Sequence, residues 1–263
     1  MGRVTAGPCD ASWSAMAGLL WTLVRTDFKV RYHGTGMGFL WALLKPVAML
    51  GVLLSVFSFV FASDPAYRLN LIVALFLWDF FAEGTKVGLT SLHAKSYLLG
   101  KTRFPRWIVV VVSISNALLT VLVMSLAMLA ALALGGRRPT AGAIGLYALY
   151  VAALAIIIVG FSLAASVLFL RYRDLNQVWD VLIAAGFFVA PIIYPLSVLP
   201  ERLHVYLYLW PPTPVIQFAR AVLVDGRAPT WRAHLYLAAA AALALAVGVT
   251  MFRRDAPTIA ERL

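Results

Sequence analysis

Cysteine and charged residues are scarce in this chain, and each shortage excludes a class of protein. Cys9 is the only cysteine among 263 residues, which excludes an internal disulfide and any cysteine-based metal site. Charged residues make up 13% of the chain and hydrophobic residues 62%, whereas a soluble domain is about 25% charged and about 45–50% apolar. A soluble chain of this length could not bury so much apolar surface. We therefore expect a single-domain, all-α polytopic membrane protein over residues 1–263.

Enzymatic signatures are missing too. The segment LLGKT, Leu98 to Thr102, resembles part of a phosphate loop, but Lys95 stands where the first glycine of that loop is required. The four histidines lack the spacing of metal ligands, and no G-x-S-x-G motif or aspartate cluster occurs. We expect no catalytic residue, no metal site and no cofactor bound by this chain. If ATP drives its activity, a partner subunit holds the ATP and magnesium.

Long apolar runs dominate what the sequence does contain. A bilayer core about 30 Å thick needs roughly 20 helical residues, and six runs reach that length. The six predicted transmembrane helices are residues 37–62, 69–92, 107–134, 142–170, 178–199 and 232–252.

Positive charge is distributed unevenly between the two sides of these runs. Thirteen of the 22 Lys and Arg lie in residues 1–36, 93–106, 171–177 and 253–263, against seven in the opposite segments. Because cytoplasmic segments carry the excess of positive charge, both termini are predicted to be cytoplasmic. The first long apolar run starts only near Met37, so we expect no cleavable signal peptide. Cations confined to short breaks between apolar runs also argue against nucleic-acid binding.

Residues 12–33 precede the first span and show helical amphipathicity. One face is apolar, with Arg25 and Lys29 on the opposite face. The apolar face comprises Trp13, Met16, Ala17, Leu20, Trp21, Val24 and Phe28. This pattern is typical of a helix that lies in the membrane interface. The alternative is an ordinary surface helix packed on other protein.

The second predicted span contains three ionisable residues on one helix face, Asp79, Glu83 and Lys86. Ionisable groups inside a membrane are costly unless they are paired. We therefore expect Glu83 to pair with Lys86 or with Lys45 of the first span. In the alternative, these carboxylates belong to a proton relay or a polar substrate path, which would require broken helices or an internal repeat.

Aromatic residues are abundant, and some lie in spans that are rich in charge or proline. A flat ring can slide along sugar rings, so these residues are candidates for the lining of a substrate channel. Plain packing or lipid contact is the alternative. The candidates are Trp41, Trp78, Phe80, Phe81, Phe187, Phe188 and Tyr194.

Prolines interrupt the fifth span and the segment after it. Pro191 and Pro195 bracket the sequence PIIYP, and proline inside a helix removes a backbone hydrogen bond and kinks it. Residues 200–231 are too apolar for a solvated loop and too broken for a span. We expect two short re-entrant or interfacial helices there, at roughly 201–210 and 213–224, folded back against other protein.

Five segments of the chain, taken in order, form a recognisable set. They are RYHGTGMGFLWALLKPV (31–47), KTRFPRW (101–107), FLRYRDLNQVWD (169–180), APIIYPLSVLP (190–200) and PPTPVIQFARAVL (211–223). Together they resemble the membrane subunit of bacterial type 2 ABC exporters of polysaccharides. The resemblance covers almost the whole chain in the family's order. Many members carry Asn-Pro where this chain has Pro211 and Pro212.

The resemblance implies roles for particular segments. It implies a coupling helix at about 93–104 that contacts the ATPase, and periplasmic gate helices within 200–231. It also implies that the turn after the interfacial helix admits a lipid-linked pyrophosphate. The implied residues are Lys95, Lys101, Arg103, Arg171, Arg173 and Asp174 for ATPase coupling; Arg25, Lys29, Arg31, Tyr32 and His33 for the pyrophosphate; and Pro191, Pro195, Tyr206, Tyr208, Trp210 and Arg220 for the gate.

The resemblance further implies a homodimer that binds two copies of an ATPase subunit in the bacterial inner membrane. The substrate would be a polysaccharide linked to polyprenyl diphosphate, threaded between the two protomers. Two alternatives stay open from the residues themselves. One is an exporter of a drug or small lipid with the same fold, and the other is an ion-coupled carrier built on Asp79 and Glu83. A membrane glycosyltransferase is disfavoured, because the sequence has no acidic metal-binding cluster.

Overall fold

The computed structural model describes residues 13–34, 36–61, 66–97, 105–134 and 139–255, and all regular secondary structure within these ranges is helical. The helices are α1 (Trp13–Tyr32), α2 (Leu40–Val60), α3 (Tyr67–Ala94), α4 (Trp107–Leu134), α5 (Ala141–Arg171), α6 (Leu175–Val189), a 3₁₀ turn (Leu196–Val198), α7 (Glu201–Leu209), α8 (Pro212–Leu223) and α9 (Trp231–Asp255). The all-α prediction is confirmed for the described residues.

Four of the described helices, α2, α4, α5 and α9, are long and apolar enough to cross a membrane. The helix α3 has the length but carries Asp79, Glu83 and Lys86, and α6 has only 15 residues. The two short helices predicted at 201–210 and 213–224 are present as α7 and α8.

The predicted fifth span, 178–199, is not one continuous helix. The helix α6 ends at Val189, and Ala190 adopts an extended conformation with ψ of 132°. Pro195 is extended as well, with ψ of 148°. The cause is steric, because a proline ring disfavours helical conformation in the residue before it and removes a backbone donor. The two prolines of PIIYP therefore end the helix instead of kinking it.

The central element of the bundle is α3. It packs against α2, α4, α5, α6 and α8 and is buried on several faces. Its contact with α5 is close because Gly84 and Gly88 face that helix. A β-carbon on Gly88 would overlap the Ser162 hydroxyl.

The helices α5 and α9 form the most extensive helix pair, and their backbones touch. A β-carbon on Gly248 would overlap the backbone of Gly160, and one on Gly160 would overlap the backbone of Ala244. Small residues at such crossings let membrane helices approach closely enough for dense packing.

The helix α1 lies on the outside of the bundle, mainly against α4. Leu20, Val24 and Phe28 are half-buried, as expected of the apolar face, while Trp21 is 69% exposed. After α1 the chain reverses direction through Gly34 and Gly38, whose φ angles are +80° and +52°. Such angles are open to glycine at little steric cost, and the turn lays the end of α1 beside α2 and α3.

Candidate functional site

A charged cleft lies where α1, α2, α3 and α4 meet, and we call it the Arg31 cleft. It encloses a cavity of about 320 Å³. The ionisable residues of its lining are Arg31, Lys45, Asp79 and Glu83. Two cations and two carboxylates from three helices thus face one cavity.

These four groups form two ion pairs across the helices. Arg31 Nη1 donates to Glu83 Oε1 at 3.2 Å, and Lys45 Nζ lies 3.9 Å from Asp79 Oδ1. The prediction that Glu83 pairs with Lys45 or Lys86 is wrong, since Lys86 instead pairs with Asp180 of α6 at 2.7 Å. Sequence spacing showed the i, i+3 neighbour but not that the end of α1 brings Arg31 within reach of α3.

The rest of the cleft is aromatic or apolar. Tyr32, Trp41, Phe76 and Phe80 contribute rings. The wall formed by α4 consists of Ala117, Thr120, Val121 and Met124, none of which is charged. The Arg31 cleft therefore places charged groups directly beside an apolar helix face.

A buried ion pair holds α1 on the bundle next to the cleft. Asp27 Oδ1 lies 2.5 Å from Lys95 Nζ, and Asn116 of α4 donates to Asp27 Oδ2 at 2.8 Å. Burial lowers the pKa of Lys95, and the hydrogen bond and charge of Asp27 oppose that shift. Only 15% of the Lys95 side chain is exposed, so this residue of the predicted coupling set points inward.

The other residues predicted for the pyrophosphate lie outside the cleft lining. Arg25, Lys29 and His33 are exposed on α1 and the turn after it. Among the remaining residues predicted for coupling, Arg171, Arg173 and Asp174 are exposed at the junction of α5 and α6; Lys101 and Arg103 lie outside the described residues.

The predicted channel aromatics divide into buried and exposed groups. Trp78 and Phe81 are buried in a ring cluster, with Phe81 centred 5.9 Å from Trp210 and Trp78 centred 5.8 Å from Phe187. Trp179 extends the cluster and donates to Thr85 Oγ1 at 3.1 Å. Of the other predicted residues, Phe80 is buried at the cleft wall, and Trp41 and Phe188 are 56% and 67% exposed.

A second cavity, of about 360 Å³, lies at the N-terminal end of α3, whereas the Arg31 cleft borders the middle of that helix. We call this second cavity the Asn70 pocket. Its walls come from α3, the segment after α6, α7, α8 and the loop that follows α8. The polar lining comprises Tyr67, Asn70, Tyr194, Tyr208, Gln217, Arg220, Asp225 and Arg227. Tyr194 and Tyr208, predicted for the channel and the gate respectively, thus share this pocket.

Arg220 joins three walls of the Asn70 pocket. Its guanidinium donates to the backbone oxygens of Pro191 at 2.6 Å, Ile192 at 2.8 Å and Asn70 at 2.9 Å. Tyr67 donates to the oxygen of Ile193 at 2.9 Å. The carbonyls left without helical partners by the proline break are thus satisfied by side chains of α3 and α8.

The other predicted gate residues are placed differently. Pro191 is buried, Pro195 lines the Asn70 pocket, and Tyr206 is 69% exposed on α7. Trp210 packs so closely on Gly186 that a β-carbon there would overlap the indole.

Sequence reasoning missed several residues of both sites. They are Asp27 and Asn116 beside the cleft, and Tyr67, Asn70, Gln217, Asp225 and Arg227 in the pocket. No motif or spacing marks them, because each meets its neighbours only through packing of distant segments. Within the described ranges, no group of three His, Cys, Asp or Glu could hold a metal ion.

Comparison with known proteins decides the family. The ABC-2 type transporter family matches residues 18–224, more than three quarters of the chain. The chain belongs to the ABC-2 type transporter family. The match runs from α1 to the end of α8, so this ABC-2 transporter chain carries all four walls of the Arg31 cleft within the matched region. The resemblance seen in the sequence is confirmed.

Curated relatives of this ABC-2 transporter chain are similar over most of its length. The O-antigen export system permease protein RfbA of Myxococcus xanthus is 27% identical over 258 residues, 94% of this chain and 95% of the relative. A protein of the same name from Klebsiella pneumoniae is 28% identical over 209 residues, 79% of this chain and 81% of the relative. The polysialic acid transport protein KpsM of Escherichia coli is 23% identical over 234 residues, 86% of this chain and 89% of the relative.

Proposed function

We propose that the chain is the permease subunit of an ATP-driven exporter that moves a polyprenyl-diphosphate-linked polysaccharide across the bacterial inner membrane. The relatives are named for O-antigen export and polysialic acid transport, which supports a polysaccharide substrate. The observation that carries the proposal is the Arg31 cleft, where cations lie beside an apolar helix face. A diphosphate on a long isoprenoid chain has this combination of charge and apolar length.

The proposed topology has six spans and both termini in the cytoplasm. The helix α3 serves as the second span, since its carboxylates Asp79 and Glu83 are paired with cations. The helix α6, together with the extended segment that follows it, forms the fifth span. The helix α1 lies in the inner interface, and α7 and α8 fold back into the outer half of the membrane.

In the proposed mechanism, the diphosphate enters from the inner leaflet and competes with carboxylates for cations. Arg31 can turn its guanidinium from Glu83 to a phosphate, which it binds through two parallel hydrogen bonds. Lys45 is held only loosely, 3.9 Å from Asp79, and 72% of its side chain is exposed. The polyprenyl chain packs along Val121 and Met124 of α4. Asp79 and Glu83 stay in the cleft and compete with the diphosphate for Lys45 and Arg31. This competition weakens substrate binding enough for the substrate to leave.

The proposed assembly is a homodimer with two ATPase subunits, which hold ATP and magnesium. The faces of α2 and α6 support it, because large apolar side chains there are exposed in the part of the chain that the structure describes. They include Val52, Val56, Phe59, Val181 and Phe188. The glycan passes between the two protomers, and of the predicted aromatics the exposed Trp41 and Phe188 are the best placed to line that path. The exposed Arg171, Arg173 and Asp174, with 93–104, contact the ATPase.

The test is replacement of the chromosomal gene by variants in the native host, with surface polysaccharide measured by immunoblot. Deletion abolishes surface polysaccharide and leaves lipid-linked glycan inside the cell. Arg31→Gln lowers export at least about tenfold, because it removes a charged hydrogen-bond donor to the phosphate. Purification of the wild-type chain in mild detergent recovers an ATP-binding subunit.

The matched control is Arg202→Gln, which removes an exposed arginine on α7, far from the cleft. Its export stays at the wild-type level. Normal surface polysaccharide in the deletion strain contradicts the polysaccharide assignment. In that event, export of a small lipid by the same complex becomes the explanation to test.

A further inference from the structure

A groove of about 350 Å³ runs between α4, α5 and α9 on the side of the bundle, and we call it the Arg253 groove. Arg253 is the one charged residue of its lining. The apolar part of the lining includes Trp107, Val111, Val159, Leu245 and Val249. Trp107 is exposed and the other four are half-buried, so the groove is open at the surface of the bundle. Since α4, α5 and α9 are long and apolar enough to cross a membrane, this opening faces lipid.

The position of the Arg253 groove along the helices matches one leaflet of a bilayer. Trp107 is the first residue of α4, and Arg253 lies in the last turn of α9. Tryptophan is enriched at headgroup depth, at the ends of spans. Leu245 precedes Arg253 by eight residues, about 12 Å along α9 at 1.5 Å per residue. The hydrocarbon of one leaflet is about 15 Å thick, half of a core of about 30 Å. The groove therefore has nearly the depth of one acyl chain.

The charge at the mouth of the groove selects the headgroup. Arg253 is exposed and forms no ion pair with a carboxylate of the described ranges. Asp255, the only acidic residue of α9, is not part of the lining. A guanidinium binds a phosphate through two parallel hydrogen bonds. Basic pockets between transmembrane helices bind anionic lipid headgroups in this way.

The walls of the groove are fixed without help from a lipid. The α5 and α9 backbones touch at Gly160 and Gly248, and Val159 and Val249 of the lining are the chain neighbours of these glycines. A preformed site loses little entropy when it binds. Among the described helices, α2 and α6 of the proposed dimer interface contribute nothing to the lining, so a second copy bound there leaves the groove open.

We propose that the Arg253 groove binds one phospholipid with an anionic headgroup. The phosphate lies on Arg253, and one acyl chain lies in the apolar part of the groove. The inference does not depend on the identity of the transported substrate, so it stands or falls separately from the proposed function.

The test measures lipid binding to the full-length chain, purified in mild detergent with the subunits that copurify. The sample is titrated with dioleoyl phosphatidylglycerol or with dioleoyl phosphatidylcholine, and native mass spectrometry counts the bound lipids. Phosphatidylglycerol binds at least about fivefold more tightly, because one arginine near a headgroup contributes about that factor. Arg253→Gln removes this preference.

The matched control is Arg254→Gln, which removes the neighbouring exposed arginine outside the lining and keeps the preference. Equal affinity of the wild-type chain for the two lipids would overturn the inference. The same loss in both arginine variants would also overturn it, because the preference would then come from the general charge of the surface.

A second pair of variants tests the apolar part of the groove. Val249→Phe places a ring in the groove and weakens binding of both lipids. Val247→Phe, two residues away on α9 and outside the lining, leaves binding unchanged. A lipid that binds only the folded chain raises its unfolding midpoint. Phosphatidylglycerol therefore raises the midpoint of the wild type and of V247F but not of V249F. An equal rise in V249F would show that the acyl chain lies elsewhere.

Phosphatidylglycerol with a photoreactive acyl chain locates the site in the wild-type chain. We expect crosslinks within 107–111, 159–163 and 245–253. Crosslinks concentrated on α2 and α6 would overturn the inference. An absence of crosslinks in the groove would overturn it as well, because another part of this chain, a second copy or the ATPase subunit would then cover the groove.

Discussion

The middle of α3 and its N-terminal end each border a cavity of similar size, and the helices around the two cavities are held together in different ways. At the Arg31 cleft, the helices are joined by ion pairs between side chains, Arg31 with Glu83 and Lys45 with Asp79. At the Asn70 pocket, the Arg220 side chain is hydrogen-bonded to backbone carbonyls of two other segments. A competing ion can break the ion pairs of the Arg31 cleft by replacing one partner. It cannot replace the backbone carbonyls that Arg220 binds.

This difference suits a cleft that changes shape when it binds a ligand and a pocket that keeps its shape. A charged ligand can replace a carboxylate at Arg31, because the gain of one ion pair offsets the loss of another. The carbonyls of Pro191 and Ile192 carry no net charge and belong to buried residues, so loss of the Arg220 hydrogen bonds leaves buried acceptors without those donors. We therefore expect the cleft to change shape when substrate binds and the pocket to keep its shape.

The largest effect is expected from Arg220→Met. The change removes three hydrogen bonds to buried carbonyls and destabilises the chain by on the order of 3 kcal/mol. Unfolding in detergent micelles, followed by tryptophan fluorescence, measures the loss. Hydrogen exchange rises at 190–195 and in α8 but not in α1. An equal rise in α1 would show that the contacts around the Asn70 pocket and those around the Arg31 cleft do not open independently.

The next effect is expected from Asp27→Asn, which leaves the Lys95 charge buried without its counter-charge. Because 15% of the Lys95 side chain is exposed, the cost is about 2 kcal/mol, below that of a fully buried pair. Hydrogen exchange rises in α1 and leaves 190–195 unchanged. The double variant D27N/K95M recovers most of the stability, since neither charge remains; no recovery would show that the pair is not the cause.

A smaller effect on stability is expected from Glu83→Gln. Arg31 and Glu83 are each about one-third exposed, so the loss is about 1 kcal/mol by thermal unfolding. Binding of lipid-linked diphosphate becomes tighter, because a competitor for Arg31 is gone. Export by this variant slows if release of the diphosphate from the Arg31 cleft is the rate-limiting step. Weaker diphosphate binding in this variant would contradict the proposed competition.

The smallest effect is expected from Lys86→Gln. Its pair with Asp180 is short, at 2.7 Å, but the two side chains are 50% and 42% exposed. Water screens such pairs, and the loss of stability stays below about 0.5 kcal/mol. Thermal unfolding of this variant beside D27N compares an exposed lysine pair on α3 with a largely buried one directly after that helix. A cost as large as that of D27N would show that exposure does not set the difference.

The sequence predicted the helices well where one physical signal was enough. The long apolar runs correspond to α2, α4, α5 and α9, and the proline-flanked stretches correspond to α7 and α8. The predicted fifth span was too long because an apolar count does not register that Pro191 and Pro195 end a helix. For the candidate sites, Arg31, Lys45, Asp79 and Glu83 were all singled out, but as two separate groups.

Composition and order along the chain by themselves determined that this protein is a helical membrane protein, and its motifs determined the family. These properties depend on the average polarity of segments and on local backbone preferences. Only the tertiary structure decided that Arg31 pairs with Glu83, that Phe81 packs inside the bundle, and that Asn70 and Gln217 line one cavity. Each of these joins residues from separate helices, and helix orientation is set by packing of the whole bundle, which no local pattern encodes.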